Sequence, residues 1–137
     1  MDAGKSYPRI LDTLPPARAS AILALYRTVP TFGAYEGSDW NWDGDEDANN
    51  NDYSYSLLGD LALHVVDSVE RGDVTELPGF LEEVERLLRD GDDDIEDLVV
   101  IEVIEGLHHR SEVIPYLGPK SREWWNRLLP WFDGEPA

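Results

Sequence analysis

The chain has 137 residues, 42% of them hydrophobic, no cysteine, and 29 acidic against 11 basic side chains for a net charge of −18. That length and apolar content suit one folded domain that buries roughly two-thirds of its unfolded surface. The lack of cysteine excludes disulfides, thiolate nucleophiles and thiolate metal sites. No apolar run approaches the roughly 20 residues of a membrane span, and no signal-peptide core follows Met1-Asp2-Ala3-Gly4-Lys5, so the expected location is cytoplasmic.

The charge is unevenly placed: residues 1–27 carry a net +2, residues 28–105 a net −20, and residues 106–137 balance to zero. Such a central block repels the phosphates of nucleic acid and of an anionic membrane surface. It suits a basic protein partner, a cation, or solubility alone.

Residues 1–14 read as an irregular arm with Tyr7, Ile10, Leu11 and Leu14 as weak apolar anchors. Pro15-Pro16 then opens a first helix, expected over 16–28 and ended by Pro30. An acidic loop follows over about 31–52, rich in Gly, Asp and Asn and carrying Phe32, Tyr35, Trp40 and Trp42. The second helix is expected over 53–70, with Leu57, Leu58, Leu61, Val65, Val66 and Val69 as its apolar stripe and Gly72 as its C-cap. The third is the most regular: Leu77, Phe80, Leu81, Val84, Leu87 and Leu88 keep the i, i+3, i+4, i+7 spacing, between Thr75 as N-cap and Gly91 as C-cap. Glu82 with Arg86 and Glu85 with Arg89 stand at i, i+4, where an ion pair adds a few tenths of a kcal/mol.

The central helix is expected over about 93–108. Asp92, Asp93 and Asp94 supply a cap and suit the helix dipole. Ile95, Leu98, Val99, Val100, Ile101, Val103, Ile104 and Leu107 cover most of its circumference, leaving Glu102 and Glu105 as a narrow polar stripe. A helix apolar nearly all round is a buried one. A short link predicts that it forms an antiparallel hairpin with the third helix. Residues 111–119 read as a loop, and a fifth helix is expected over 121–132, with Trp124, Trp125 and Trp131 as core anchors and a kink or end at Pro130. The expected fold is therefore all-α, a bundle of about five helices around the buried 93–108 helix.

Several groups of residues invite chemistry. With Asp39 as position one, Asn41, Asp43 and Asp47 supply oxygens at positions three, five and nine, and Gly44 stands at six, as in an EF-hand calcium loop. Asn50 stands where a bidentate Glu is needed and Glu46 where an apolar residue belongs, so a solvated acidic loop is the plainer expectation. Glu105-x-x-His108 has the spacing of di-iron carboxylate bundles, but no second Glu-x-x-His exists, His64 being preceded at that distance by Leu61. Glu102 and Glu105 form a possible acid/base pair, with Arg110, Arg122 and Arg127 as alternative ion-pair partners. There is no Gly-x-Ser-x-Gly and no Gly-rich phosphate loop. The sequence thus points to no enzyme, no cofactor and no metal beyond that calcium pattern.

Val103-Ile104-Glu105-Gly106-Leu107 after an acidic linker, then Leu117-Gly118-Pro119-Lys120-Ser121 and Trp124-Trp125, resembles small acidic all-helical bacterial proteins. These in turn resemble immunity proteins of polymorphic-toxin and contact-dependent inhibition systems. Ile104 stands where Leu is commoner and Gly106 where Asn is commoner. The similarity spans about 76–131 and marks fold, so it carries over no functional residue; it implies an all-α domain and permits an immunity role.

Charge and resemblance together lead to an expected acidic binding protein that neutralises a basic, nuclease-like toxin domain by occluding its active site. The alternatives are a calcium- or metal-binding helical domain and a nucleic-acid mimic that inhibits a host DNA-binding protein. Aromatics among carboxylates suit an interface, so the expected partner-binding residues are Trp40, Trp42, Asp43, Asp45, Asp47, Glu82 and Glu83. A surface around Glu102, His108 and His109 is the second choice.

Overall fold

Pro16 occupies the first turn of α1 (Pro16–Tyr26), where its missing N–H costs nothing. The computed structural model describes residues 14–32, 54–132 and 135–137, and among them every regular element is helical. After α1 come α2 (Ser54–Glu70), α3 (Leu77–Asp90) and a continuous rod made of α4 (Asp93–Val99), a π-helical turn (Val100–Ile104) and α5 (Glu105–Leu107). A 3-10 segment (Ser111–Tyr116), α6 (Pro119–Leu128) and a last 3-10 turn (Leu129–Trp131) complete the described chain. The rod packs against α1, α2, α3 and α6, which makes it the centre of the expected five-rod bundle. No helix among the described residues is long and apolar enough to cross a membrane.

The caps explain where the helices stop. Gly72 has φ 81°, and around it Gly72 N–H donates to Val69 O (2.9 Å) while Asp73 N–H donates to Ser68 O (2.8 Å). This is the paired closure of a Schellman motif, and glycine reaches that left-handed backbone without steric cost. The Asp92 carboxylate accepts from Ile95 N–H at 3.0 Å and caps α4 as expected. The cap of α3 differs from expectation. Its N-cap is Glu76, and Thr75 instead belongs to an Asx turn in which Asp73 accepts its N–H at 3.0 Å.

The π turn is the feature that wheel geometry does not suggest. Ile95, Leu98 and Val99 face the core. In an uninterrupted α-helix the same face continues at position 102, which is i+7, i+4 and i+3 from those three residues. That would bury Glu102, and an uncompensated buried carboxylate costs several kcal/mol. Instead Glu105 N–H donates to Val100 O, five residues back, and the helix gains one residue in that turn. Val103, Ile104 and Leu107 then take the core positions and are fully buried. Glu102 and Glu105 move outward, and Ile101 is left 42% exposed.

α6 starts on a cap supplied by a distant residue. Glu85 of α3 is 8% exposed, and its carboxylate accepts from Lys120 N–H (2.9 Å), Ser121 N–H (3.0 Å) and the Ser121 hydroxyl (3.0 Å). A Cβ on Gly118 would lie 2.6 Å from that carboxyl group, so the glycine makes room for it. Leu117-Gly118-Pro119-Lys120-Ser121 is therefore a docking sequence for Glu85. The expected Glu85–Arg89 pair is replaced by this cap, and Arg89 lies 3.4 Å from Asp90. Arg86 likewise pairs with Glu83 and not with Glu82.

The tryptophans also divide differently from expectation. Trp125 is fully buried, Trp124 is half-buried with its Nε1–H on Glu96 (3.1 Å), and Trp131 is 73% exposed. Pro130 lies in the 3-10 turn that follows α6, so the helix ends there as expected.

Candidate functional site

An open groove of about 530 Å³ lies between α2 and the π turn with α5. α2 contributes Gly59, Ala62, Leu63, Val66, Asp67 and Glu70 to one wall. Ile101, Glu102, Glu105, Gly106 and His109 form the other, and Phe132 closes one end. Leu63 is 60% exposed and Phe132 36%, so with Ile101 the groove presents three large apolar side chains to solvent.

Small residues set the spacing of the walls. A Cβ on Gly106 would sit 3.4 Å from the Ala62 methyl, and one on Gly59 would fall 2.7 Å from the Glu102 carboxylate. The two helices approach closely at Gly106, and Gly59 leaves the space that Glu102 fills.

The electrostatics of this groove are one-sided. Of the lining carboxylates, Asp67, Glu102 and Glu105 make no hydrogen bond or ion pair with any described residue, nor does Asp60 outside the lining, and only Glu70 has a cation among the described residues, Arg110 at 3.6 Å. Burial pushes the Glu102 carboxyl above the usual carboxylate range, and the charges of Glu105 and Asp60 push it the same way. The Asp60 residue is exposed, yet desolvation by the surrounding protein raises its carboxyl as well. A raised acid among other acids is a site that gains when a cation arrives.

The expected cations go elsewhere. Arg110 bonds Glu112 (2.8 Å), Arg122 donates to the carbonyls of Leu117 and Ile114, and Arg127 pairs with Glu123 and lies 4.4 Å over the Trp124 ring. Glu105 and His108 also part company. His108 is buried, stacked on Trp125 at 4.3 Å, with its Nε2–H donating to Trp125 O at 2.9 Å. That leaves Glu105-x-x-His108 unable to share an ion, and no group of three metal-ligating side chains exists among the described residues.

Of the expected partner-binding residues, Glu82 and Glu83 lie on α3, which contributes nothing to the groove. Trp40, Trp42, Asp43, Asp45 and Asp47 lie outside the described residues, as does the calcium pattern of Asp39, Asn41, Asp43 and Asp47. The second-choice surface keeps Glu102 and His109 and loses His108 to the core. Sequence reasoning missed Leu63, Ile101 and Phe132. The available signal was a phase break: Ile95, Leu98 and Val99 point to position 102, and the next apolar residues are Val103 and Ile104.

Fold and site together define an acidic all-α domain with a preformed, carboxylate-walled apolar groove. The chain belongs to the family described as Domain of unknown function (DUF7674), whose model matches residues 24–131 and so takes in both groove walls. Neither the search of curated proteins nor that of solved structures gave a match.

Proposed function

We propose that this protein is an acidic binding protein, an immunity protein that neutralises a cognate basic, nuclease-like toxin domain by occluding its active site. The observation that supports this most is a set of carboxylates with no cation among the described residues, Asp67, Glu102 and Glu105 in the groove lining and Asp60 acting on Glu102, together with exposed Leu63 and Ile101. Carboxylates of this kind compete for the cationic surface that a nuclease offers to phosphate. The net charge of −18 steers such a partner inward and speeds association. Apolar contact then slows dissociation, where most of the affinity within one interface is set.

The test is co-expression with the product of the neighbouring open reading frame. Rescue from its toxicity, together with a complex on a sizing column at low salt, is the expected result. No rescue and no complex removes the reading. Protection against a DNA-binding host protein, with no toxin involved, moves the assignment to the nucleic-acid mimic. Charge reversal at Asp43, Asp45 and Asp47, set beside reversal at Glu102 and Glu105, separates the loop from the groove as the contact surface.

A further inference from the structure

We propose that the groove between α2 and the π turn docks a basic amphipathic helix of the partner, apolar stripe down and Lys or Arg side chains against both walls. The inference rests on the reading of this chain as a binding protein for a basic partner, and it assigns the surface and the partner's shape.

Three observations select that occupant. The charge is bilateral: Asp67 and Glu70 line the α2 wall with Leu63, Glu102 and Glu105 line the facing wall with Ile101, and Phe132 closes one end. A helix with an apolar stripe flanked by cations on both sides complements this pattern. Next, the length fits. The α2 wall runs from Gly59 to Glu70, about 11 residue steps or about 16 Å at 1.5 Å per residue, which accommodates about three turns of a docked helix. Finally, the described residues hold no strand and offer no sheet edge, so an extended segment would find no backbone ladder to join. Both walls belong to packed helices, so little ordering cost falls on this side of the complex. The crowding of Glu102 by Glu105 and Asp60 is relieved when an ammonium or guanidinium enters between them.

The test uses the full chain and three labelled synthetic peptides of about 15 residues, read by fluorescence anisotropy. One carries Leu at i, i+3, i+4 and i+7 with Lys on both flanks. The second has the same composition in permuted order, and the third has Glu for every Lys. The patterned peptide is expected to bind at least about tenfold more tightly than the permuted one, and the acidic peptide not at all. Glu102→Gln with Glu105→Gln is expected to weaken binding about tenfold. Leu63→Asp and Ile101→Asp are the decisive variants. They add negative charge yet are expected to weaken binding, because they remove apolar lining from both walls; both residues are exposed, and circular dichroism confirms the fold. Glu82→Gln with Glu83→Gln on α3 is expected to leave binding unchanged.

The proposal is overturned if no peptide binds, if the permuted peptide binds equally, if Leu63→Asp tightens binding, or if the α3 variant costs as much as the groove variant. The two readings fail separately. Peptide binding as expected without any neutralised toxin removes only the immunity role. Toxin neutralised at full affinity by the Leu63→Asp and Ile101→Asp variants removes only the groove.

Discussion

Glu85 and Glu102 are two glutamates that the bundle handles in opposite ways. Glu85 is buried but holds three donors at the start of α6. Removing a buried acceptor leaves those donors unsatisfied, so Glu85→Ala is expected to destabilise by about 3 kcal/mol and Glu85→Gln by about half as much, measured by urea unfolding. Gly118→Ala, whose methyl would meet the same carboxyl at 2.6 Å, is expected to cost about 1–3 kcal/mol. Glu102 has no such donors, and its raised pKa gives the opposite sign. Because the folded state holds its proton more tightly, Glu102 costs stability as pH rises through and above the ordinary glutamate value, and costs nothing well below it. Glu102→Gln is therefore expected to raise stability at neutral pH by about 0.5 kcal/mol, with the gain vanishing in acid. Thermal melts across that range check this, and an equal gain at every pH would contradict it.

At the scale of the helix, the π turn reconciles two apolar phases that one α-helix cannot serve. Removing one residue within it restores ordinary spacing: Ile95, Leu98 and Val99 are then followed by Val103 and Ile104 in the i+3, i+4 positions. Deletion of exposed Ile101 is thus expected to leave a folded protein within about 1 kcal/mol of the parent, with the groove wall altered. Deletion of Glu82 from the regular α3 is expected to cost more than about 3 kcal/mol, because half of that apolar stripe slips off the core face. Urea unfolding of the two deletions side by side measures the contrast. The same comparison explains what was legible beforehand. α3 was readable because one phase runs through it unbroken, and the central rod was readable as buried. Its register lay only in the phase break at Glu102, which eight apolar residues around the wheel mask.

Across the whole molecule, self-repulsion from a charge of −18 opposes the compact state. Raising sodium chloride from about 10 to about 150 mM shortens the Debye length from about 30 to about 8 Å, so the thermal midpoint is expected to rise. The same salt is expected to slow association with a basic partner while changing dissociation little, a split that stopped-flow mixing resolves. A fall in the midpoint with salt would place the stabilising charges in pairs such as Arg18–Asp94, whose fork of bonds at 2.8 and 2.5 Å holds the Asp94 carboxyl below its ordinary range.

Local pattern determined the all-α class, the positions of α2 and α3, the Asp92 cap, the turn at Gly72 and the burial of the central rod, because period and capping chemistry act over a few neighbouring residues. The same pattern exposed the acidic excess but not its use. Tertiary structure decided that Glu85 caps α6 from 35 and 36 positions away, that His108 stacks under Trp125, and that Trp131 lies outside the core. It also decided that Glu102 and Glu105 face Leu63 and Asp67 across a groove. Each of these depends on which elements meet and on one extra residue in a helical turn, quantities set by packing between distant segments and not by the neighbours in sequence.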